Sequence, residues 1–140
     1  MKILFMCVAN SARSQLAEGL AREIFGDVAE IKSAGSEPKT VNPYAVRVLN
    51  EVGIDITGHF SESIGEISPR FLVDLDYVIT LCAEEVCPIL ASQTAKKLHW
   101  PFPDPATKEQ LSEAEMLQRF RTARDSIRTR LEEFRREVSP

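Results

Sequence analysis

The chain has 140 residues, 44% hydrophobic and 27% charged, a composition that predicts one globular domain over 1–140 and excludes a disordered chain, a disulfide scaffold and a collagen-like repeat. No apolar run approaches the roughly eighteen residues that a membrane span needs, so no membrane partner is expected. The net charge of −4 is uneven, with −7 over residues 51–85 and +3 elsewhere, which argues against nucleic acid as a ligand and is most simply a solvated acidic face.

Lys2 to Val8 is short and apolar and reads as a buried strand. Ile3 to Ala9 has the minimum length of a signal-sequence core. It runs through Asn10-Ser11-Ala12-Arg13 directly into a helical pattern, however, so the strand reading stands and a cytoplasmic location is expected. Leu16, Ala17, Leu20, Ala21, Ile24 and Phe25 recur at helical spacing, and Gly26 stops the helix. Ala29 to Ala34 reads as a second strand ended by Gly35. Asn42 and Pro43 open a second helix as cap and first residue, with Ala45, Val46, Leu49 and Val52 as its apolar face and Gly53 as its end. Residues 58–72 read as irregular, Asp76 to Leu81 as the third strand and Lys96 to Trp100 as the fourth. Leu117, Phe120, Ala123, Ile127, Leu131, Phe134 and Val138 mark a long last helix. Strands alternating with helices predict an α/β fold, a single four-stranded parallel sheet flanked by helices.

The segment Cys7-Val8-Ala9-Asn10-Ser11-Ala12-Arg13-Ser14 joins the first strand to the first helix. A cysteine and an arginine with five residues between them at such a junction allow the intervening amides to curl around a tetrahedral oxyanion, with the helix N-terminus adding positive charge. Arg13 can hold two oxygens with its planar fork. The same field favours the thiolate of Cys7, the form that attacks, and Ser14 can stabilise it through its hydroxyl. Asn10 tolerates the left-handed backbone that a tight anion loop requires. An isolated cysteine and arginine would be read as a buried hydrophobe and a surface charge; here strand, loop, helix and serine agree. Further on, Trp100-Pro101-Phe102-Pro103-Asp104-Pro105 presents one carboxyl between prolines, a stiff way to hold a general acid, although Asp104 alone would be only a turn residue.

Two more cysteines, Cys82 and Cys87, follow the third strand, whose C-terminal end a parallel sheet brings to the edge occupied by Cys7. In a reducing compartment such thiols point to chemistry rather than to a disulfide framework, the bland alternative being two buried apolar cysteines. Four residues between them is the upper limit of zinc-thiolate spacing, and His59 and His99 lie far off in sequence, so no metal site is predicted.

Cys7 to Ser14 followed by Gln15-Leu16-Ala17-Glu18-Gly19, together with Ser33-Ala34-Gly35 and Asp104-Pro105, resembles the low-molecular-weight protein tyrosine phosphatase fold over nearly the whole chain. The resemblance implies Cys7 as nucleophile, Arg13 and the loop amides of residues 8–14 as oxyanion binders and Asp104 as general acid. Thr80-Leu81-Cys82 with Cys87-Pro88-Ile89, Val41-Asn42-Pro43 through Glu51-Val52-Gly53-Ile54-Asp55-Ile56, and His99-Trp100 resemble the thioredoxin-coupled arsenate reductase branch of that superfamily. That branch implies a relay in which Cys7 attacks arsenate, Cys82 attacks the adduct, and Cys87 moves the disulfide to Cys82–Cys87. Thioredoxin then supplies the electrons, with no bound cofactor and a monomeric chain. The segment between Cys82 and Cys87 is shorter than in close relatives. Some relatives hold potassium at positions matching Asn10, Glu18 and Ser33, but Glu62 stands where they have aspartate. The alternatives are a phosphatase acting on phosphate monoesters and a non-catalytic module that binds an oxyanion or phosphoprotein.

Overall fold

The computed structural model describes residues 1–83, 90–92, 94–107 and 109–138. Four strands, β1 (Lys2–Cys7), β2 (Glu30–Gly35), β3 (Tyr77–Thr80) and β4 (Lys96–His99), form one parallel sheet in the order β2-β1-β3-β4. Between and after them come α1 (Arg13–Phe25), α2 (Pro43–Asn50), the single turn α3 (Pro69–Leu72) and the long α4 (Glu113–Val138). The predicted strands recur with ends shifted by a residue or so. The stretch read as irregular contains a 3-10 turn, Ile64–Glu66, and α3; its capping box, Ser63 with Glu66, and the Ser68-Pro69 start were the signals for these short turns.

Alternation along β1 divides the core. Ile3 and Phe5 face α1, α2 and α4, whereas Leu4 and Met6 face Ile67, Phe71 and Leu75 on the other side. A central strand buried on both faces must be apolar throughout, which is why Ile3 to Met6 shows no alternation in sequence. The edge strand β4 keeps Lys96 and Lys97 exposed, a charged border that discourages further strand addition. On α2 the buried residues are Ala45, Val48 and Leu49, and Val46 and Val52 pack half-buried against the same core; Val48 joins the face that periodicity gave to Ala45, Val46, Leu49 and Val52. Gly19 lets α1 approach its neighbours: a Cβ there would meet Leu49 Cδ1 at 2.8 Å and Ile56 Cγ2 at 3.0 Å. Among the described residues, no helix is long and apolar enough to cross a membrane.

The α2–α4 contact is fastened by charge. Arg121 donates to Glu51 from Nε (3.0 Å) and Nη2 (2.7 Å), Arg124 Nη1 donates to Glu51 Oε1 (2.9 Å) and to the Val48 carbonyl (2.8 Å), and Arg47 pairs with Glu113. The hydrogen bonds from Arg121, followed by those from Arg124, outweigh partial desolvation and hold the Glu51 carboxyl down at about 2. Because the folded value lies below the ordinary 4.5, this contribution is present above pH 4.5 and is lost as pH falls toward 2. Urea denaturation of wild type and Glu51→Gln should therefore show a stability difference at pH 7 that shrinks progressively below pH 4.5. A second expectation concerns Gly35, which pairs with Cys7. A Cβ at this position would lie 2.5 Å from the Val8 carbonyl oxygen and 2.9 Å from the Asn10 nitrogen, both backbone atoms. Gly35→Ala should cost about 1–3 kcal/mol in the same assay, because the loop must shift to make room.

Candidate active site

Cys7 ends β1 and Arg13 begins α1, so residues 8–12 must turn within a few residues from strand to helix. Asn10 makes that turn with φ of 48°, in the left-handed region, as expected. The loop carbonyls are all engaged by donors outside the loop's concave side. Val8 accepts from Glu37 N (2.9 Å), Ala9 from Lys39 N (3.0 Å), Ser11 from Asn42 N (3.0 Å) and Ala12 from Leu16 N (2.9 Å), while Asn10 accepts from Ser61 Oγ (2.6 Å) and Gln15 Nε2 (3.2 Å). The N–H groups of Ala9 to Ala12, by contrast, find no acceptor among the described residues. The N-terminus of α1 has no side-chain cap and no acid in its first turn, whereas Asn42 caps α2 through Tyr44 N at 2.9 Å. Unpartnered amides at an uncapped helix start are suited to an anion.

Behind the loop, Asn10 is fully buried and acts as a hub. Its Nδ2 donates to Ser14 Oγ (2.7 Å) and Ser33 Oγ (2.9 Å), and its Oδ1 accepts from Glu62 N (3.0 Å). Because Ser14 Oγ accepts from Asn10, its own proton is available to Cys7 Sγ, 2.9 Å away. Ser33 donates to Glu18, whose other oxygen pairs with Arg22 at 2.9 Å. Gln15 donates from Nε2 to the Asn10 and Phe60 carbonyls, which leaves its Oε1 to accept from His59 Nδ1 at 3.0 Å. Burial pushes the pKa of His59 down, against the opposing pull of Glu18, and so favours the neutral ring. Burial likewise raises the pKa of Glu62, with Lys32 acting in the other direction.

The positions matched to a potassium site are thus committed to one another. Asn10 turns its amide hydrogens toward Ser33, Ser33 spends its proton on Glu18, and Arg22 balances the Glu18 charge. This set does not offer the converging free oxygens that a cation takes.

Arg13 is buried and ties together the segments that follow β3 and β4. Its Nη1 donates to the Phe102 carbonyl (2.9 Å) and at longer range to that of Leu81 (3.4 Å), and its Nη2 lies 3.7 Å from Asp104 Oδ2. Asp104 is half exposed. Its Oδ1 accepts from Ala106 N (3.0 Å), and Arg119 on α4 holds the carbonyls of Asp104 (3.2 Å) and Pro105 (2.9 Å). The prolines are therefore assisted by a side-chain clasp that sequence gave no sign of. Cys82 is buried two residues beyond β3; since Leu81 N donates to the Met6 carbonyl at 2.9 Å, it stands at the same sheet edge as Cys7. Cys87, with Glu84 and Glu85, lies outside the described residues. His99, expected to be packed, is exposed and meets Thr80 Oγ1 through Nδ1 at 2.8 Å.

A cleft of about 450 Å³ opens in front of Cys7, bounded by the loop, Arg13, Lys39, Asp104 and Thr107. Lys39 and Thr107 were absent from the sequence reading, as was the Gln15–His59–Ser61 support, because contacts between distant segments leave no periodic or spacing signal. A larger cleft of about 610 Å³ runs along α4 from the other side of Asp104, and no thiol among the described residues lines it.

The chain is similar to known proteins over nearly its whole length. The family model described as low molecular weight phosphotyrosine protein phosphatase matches residues 2–139. An arsenate reductase of Staphylococcus epidermidis is 42% identical over 135 residues, 95% of each chain. A solved arsenate reductase in the phosphate binding state superposes with a TM-score of 0.78 at 32% identity, covering 99% of this chain and 98% of its own. The thioredoxin-dependent arsenate reductase of Corynebacterium glutamicum superposes with a TM-score of 0.72 at 26% identity, covering 98% of this chain and 61% of its own. With the family match spanning nearly its full length, the chain belongs to the low molecular weight phosphotyrosine protein phosphatase family.

Proposed function

We propose that the protein reduces arsenate to arsenite, using Cys7 as nucleophile and Cys82 and Cys87 as a dithiol that thioredoxin restores. One observation carries the reading: a second buried thiol, Cys82, stands just beyond the strand paired to β1, at the sheet edge that carries Cys7, and a phosphate-ester hydrolase needs only the first. The arsenate reductases among its relatives, one of them 42% identical, support the same choice.

In this reading the loop amides and Arg13 hold the tetrahedral oxyanion while Ser14 donates to the Cys7 thiolate until it attacks arsenic. An arsenic-bound oxygen leaves as water, and a thiol–arsenate adduct forms on Cys7. The Cys82 thiolate then attacks the Cys7 sulfur. The electron pair of the sulfur–arsenic bond passes to arsenic, releasing arsenite and leaving a Cys7–Cys82 disulfide. Cys87 attacks Cys82, frees Cys7 and forms Cys82–Cys87, which a thioredoxin dithiol reduces. Asp104 is positioned over the cleft to supply protons to departing oxygen. A phosphate ester bound in the same loop would stop at hydrolysis, because phosphorus is not reduced by thiols. That defines the second reading, a phosphatase, favoured by the presence of Asp104 alongside Cys7.

Thioredoxin-coupled turnover of arsenate, measured beside hydrolysis of p-nitrophenyl phosphate, separates the two. Cys7→Ser should lower both activities by about a thousandfold or more. Cys82→Ser should abolish arsenate-dependent consumption of reductant while hydrolysis is retained. Wild-type protein that hydrolyses the ester but consumes no reductant with arsenate would leave the phosphatase reading in place of the reductase.

A further inference from the structure

Two cations line the cleft in front of Cys7, and they are held differently. Arg13 is buried, with Nη1 on the Phe102 carbonyl at 2.9 Å and Nη2 3.7 Å from Asp104, so part of its charge is committed to the protein. Lys39 is exposed, and among the described residues its ammonium has no carboxylate partner within ion-pair distance.

The backbone of Lys39, by contrast, is fixed. Its N–H donates to the Ala9 carbonyl at 3.0 Å, Pro38 restricts the residue before it, and Glu37 and Asn42 are bonded to Val8 and Ser11 on either side. A four-carbon stem carrying a rotatable point charge is thus anchored at its root to the anion loop and mobile at its tip. In-line attack by Cys7 leaves one oxygen of a bound oxyanion directed away from the sulfur and out of the cleft. In an inorganic oxyanion that oxygen is a bare oxide or hydroxyl that an ammonium can reach as a hydrogen-bond donor; in a phosphate monoester it bears the organic group.

We propose that Lys39 is a specificity-determining residue, a mobile second cation that engages the outward-facing oxygen of an inorganic oxyanion and so favours arsenate and phosphate over esters. The uncharged arsenous acid formed by reduction loses that attraction and departs. This inference rests on the reading of the Cys7 loop as an oxyanion site.

Titration calorimetry with inorganic phosphate on the reduced protein tests it without requiring turnover. Lys39→Met should bind phosphate roughly tenfold more weakly at low ionic strength, and the gap should narrow as salt is raised. Lys39→Arg, which keeps the charge, should stay within about threefold of wild type. In turnover, Lys39→Met should raise KM for arsenate distinctly more than KM for p-nitrophenyl phosphate. Phosphate affinity in Lys39→Met within about twofold of wild type at low salt, or equal KM increases for arsenate and ester, would overturn the role of Lys39 while leaving the oxyanion site intact. Wild-type protein that fails to bind phosphate at all would instead overturn the oxyanion reading, and Lys39 with it.

Discussion

The outward bonding of five consecutive carbonyls, Val8 to Ala12, is the constraint on which the site depends. A peptide chain that must turn from strand to helix in so few residues can face either its oxygens or its amides inward. Fixing each oxygen from outside decides the matter. The donors come from four places: the segment after β2, the start of α2, the Ser61 strap, and α1 itself through Gln15 and Leu16. The anion loop is therefore a product of the assembled fold rather than of its own sequence. Bonding all five oxygens also offsets the desolvation that would otherwise penalise burying a polar turn.

Arg13 performs the corresponding task for the sheet edge. One buried guanidinium reaches the ends of β3 and the segment beyond β4, and it is positioned by the first turn of α1. The groups around the cleft thus belong to distant parts of the chain, yet a single charged side chain sets their spacing. Arg119 completes the frame from α4 by grasping the backbone of Asp104 and Pro105, so the carboxyl is aimed by a helix whose own packing on Phe120, Ile127 and Phe134 is apolar. The Glu51 cluster fastens that helix to α2, which in turn carries the Asn42 amide that holds Ser11.

Sequence made the central parts legible where local rules govern. Lys2 to Cys7 is apolar because β1 is covered on both faces, α4 repeats its buried residues at helical spacing, and Cys7, Asn10, Arg13 and Ser14 lie close enough in the chain to declare a loop. Local rules failed where the third dimension decides. Val48 enters the core beside the half-buried Val46 because α2 packs against both α1 and α4. Lys39 and His59 are ordinary polar residues in sequence and acquire meaning only when β2 and the 56–63 segment close over the loop. His99, beside the buried Trp100, lies on the exposed side of an edge strand, where alternation rather than proximity to an aromatic residue sets its environment.

The pairing of Cys7 with Gly35 has a further consequence. Since adjacent residues of β1 face opposite sides of the sheet, the place of the Cys7 thiol is defined by parity as well as by position: Ile3 and Phe5 face one side, Leu4 and Met6 the other. Sliding β1 by a single residue against β2 would bring Met6 opposite Gly35 and exchange the two cores at once. The large side chains on both faces therefore guard the address of Cys7, and the candidate site is protected by the same register that makes the sheet pack.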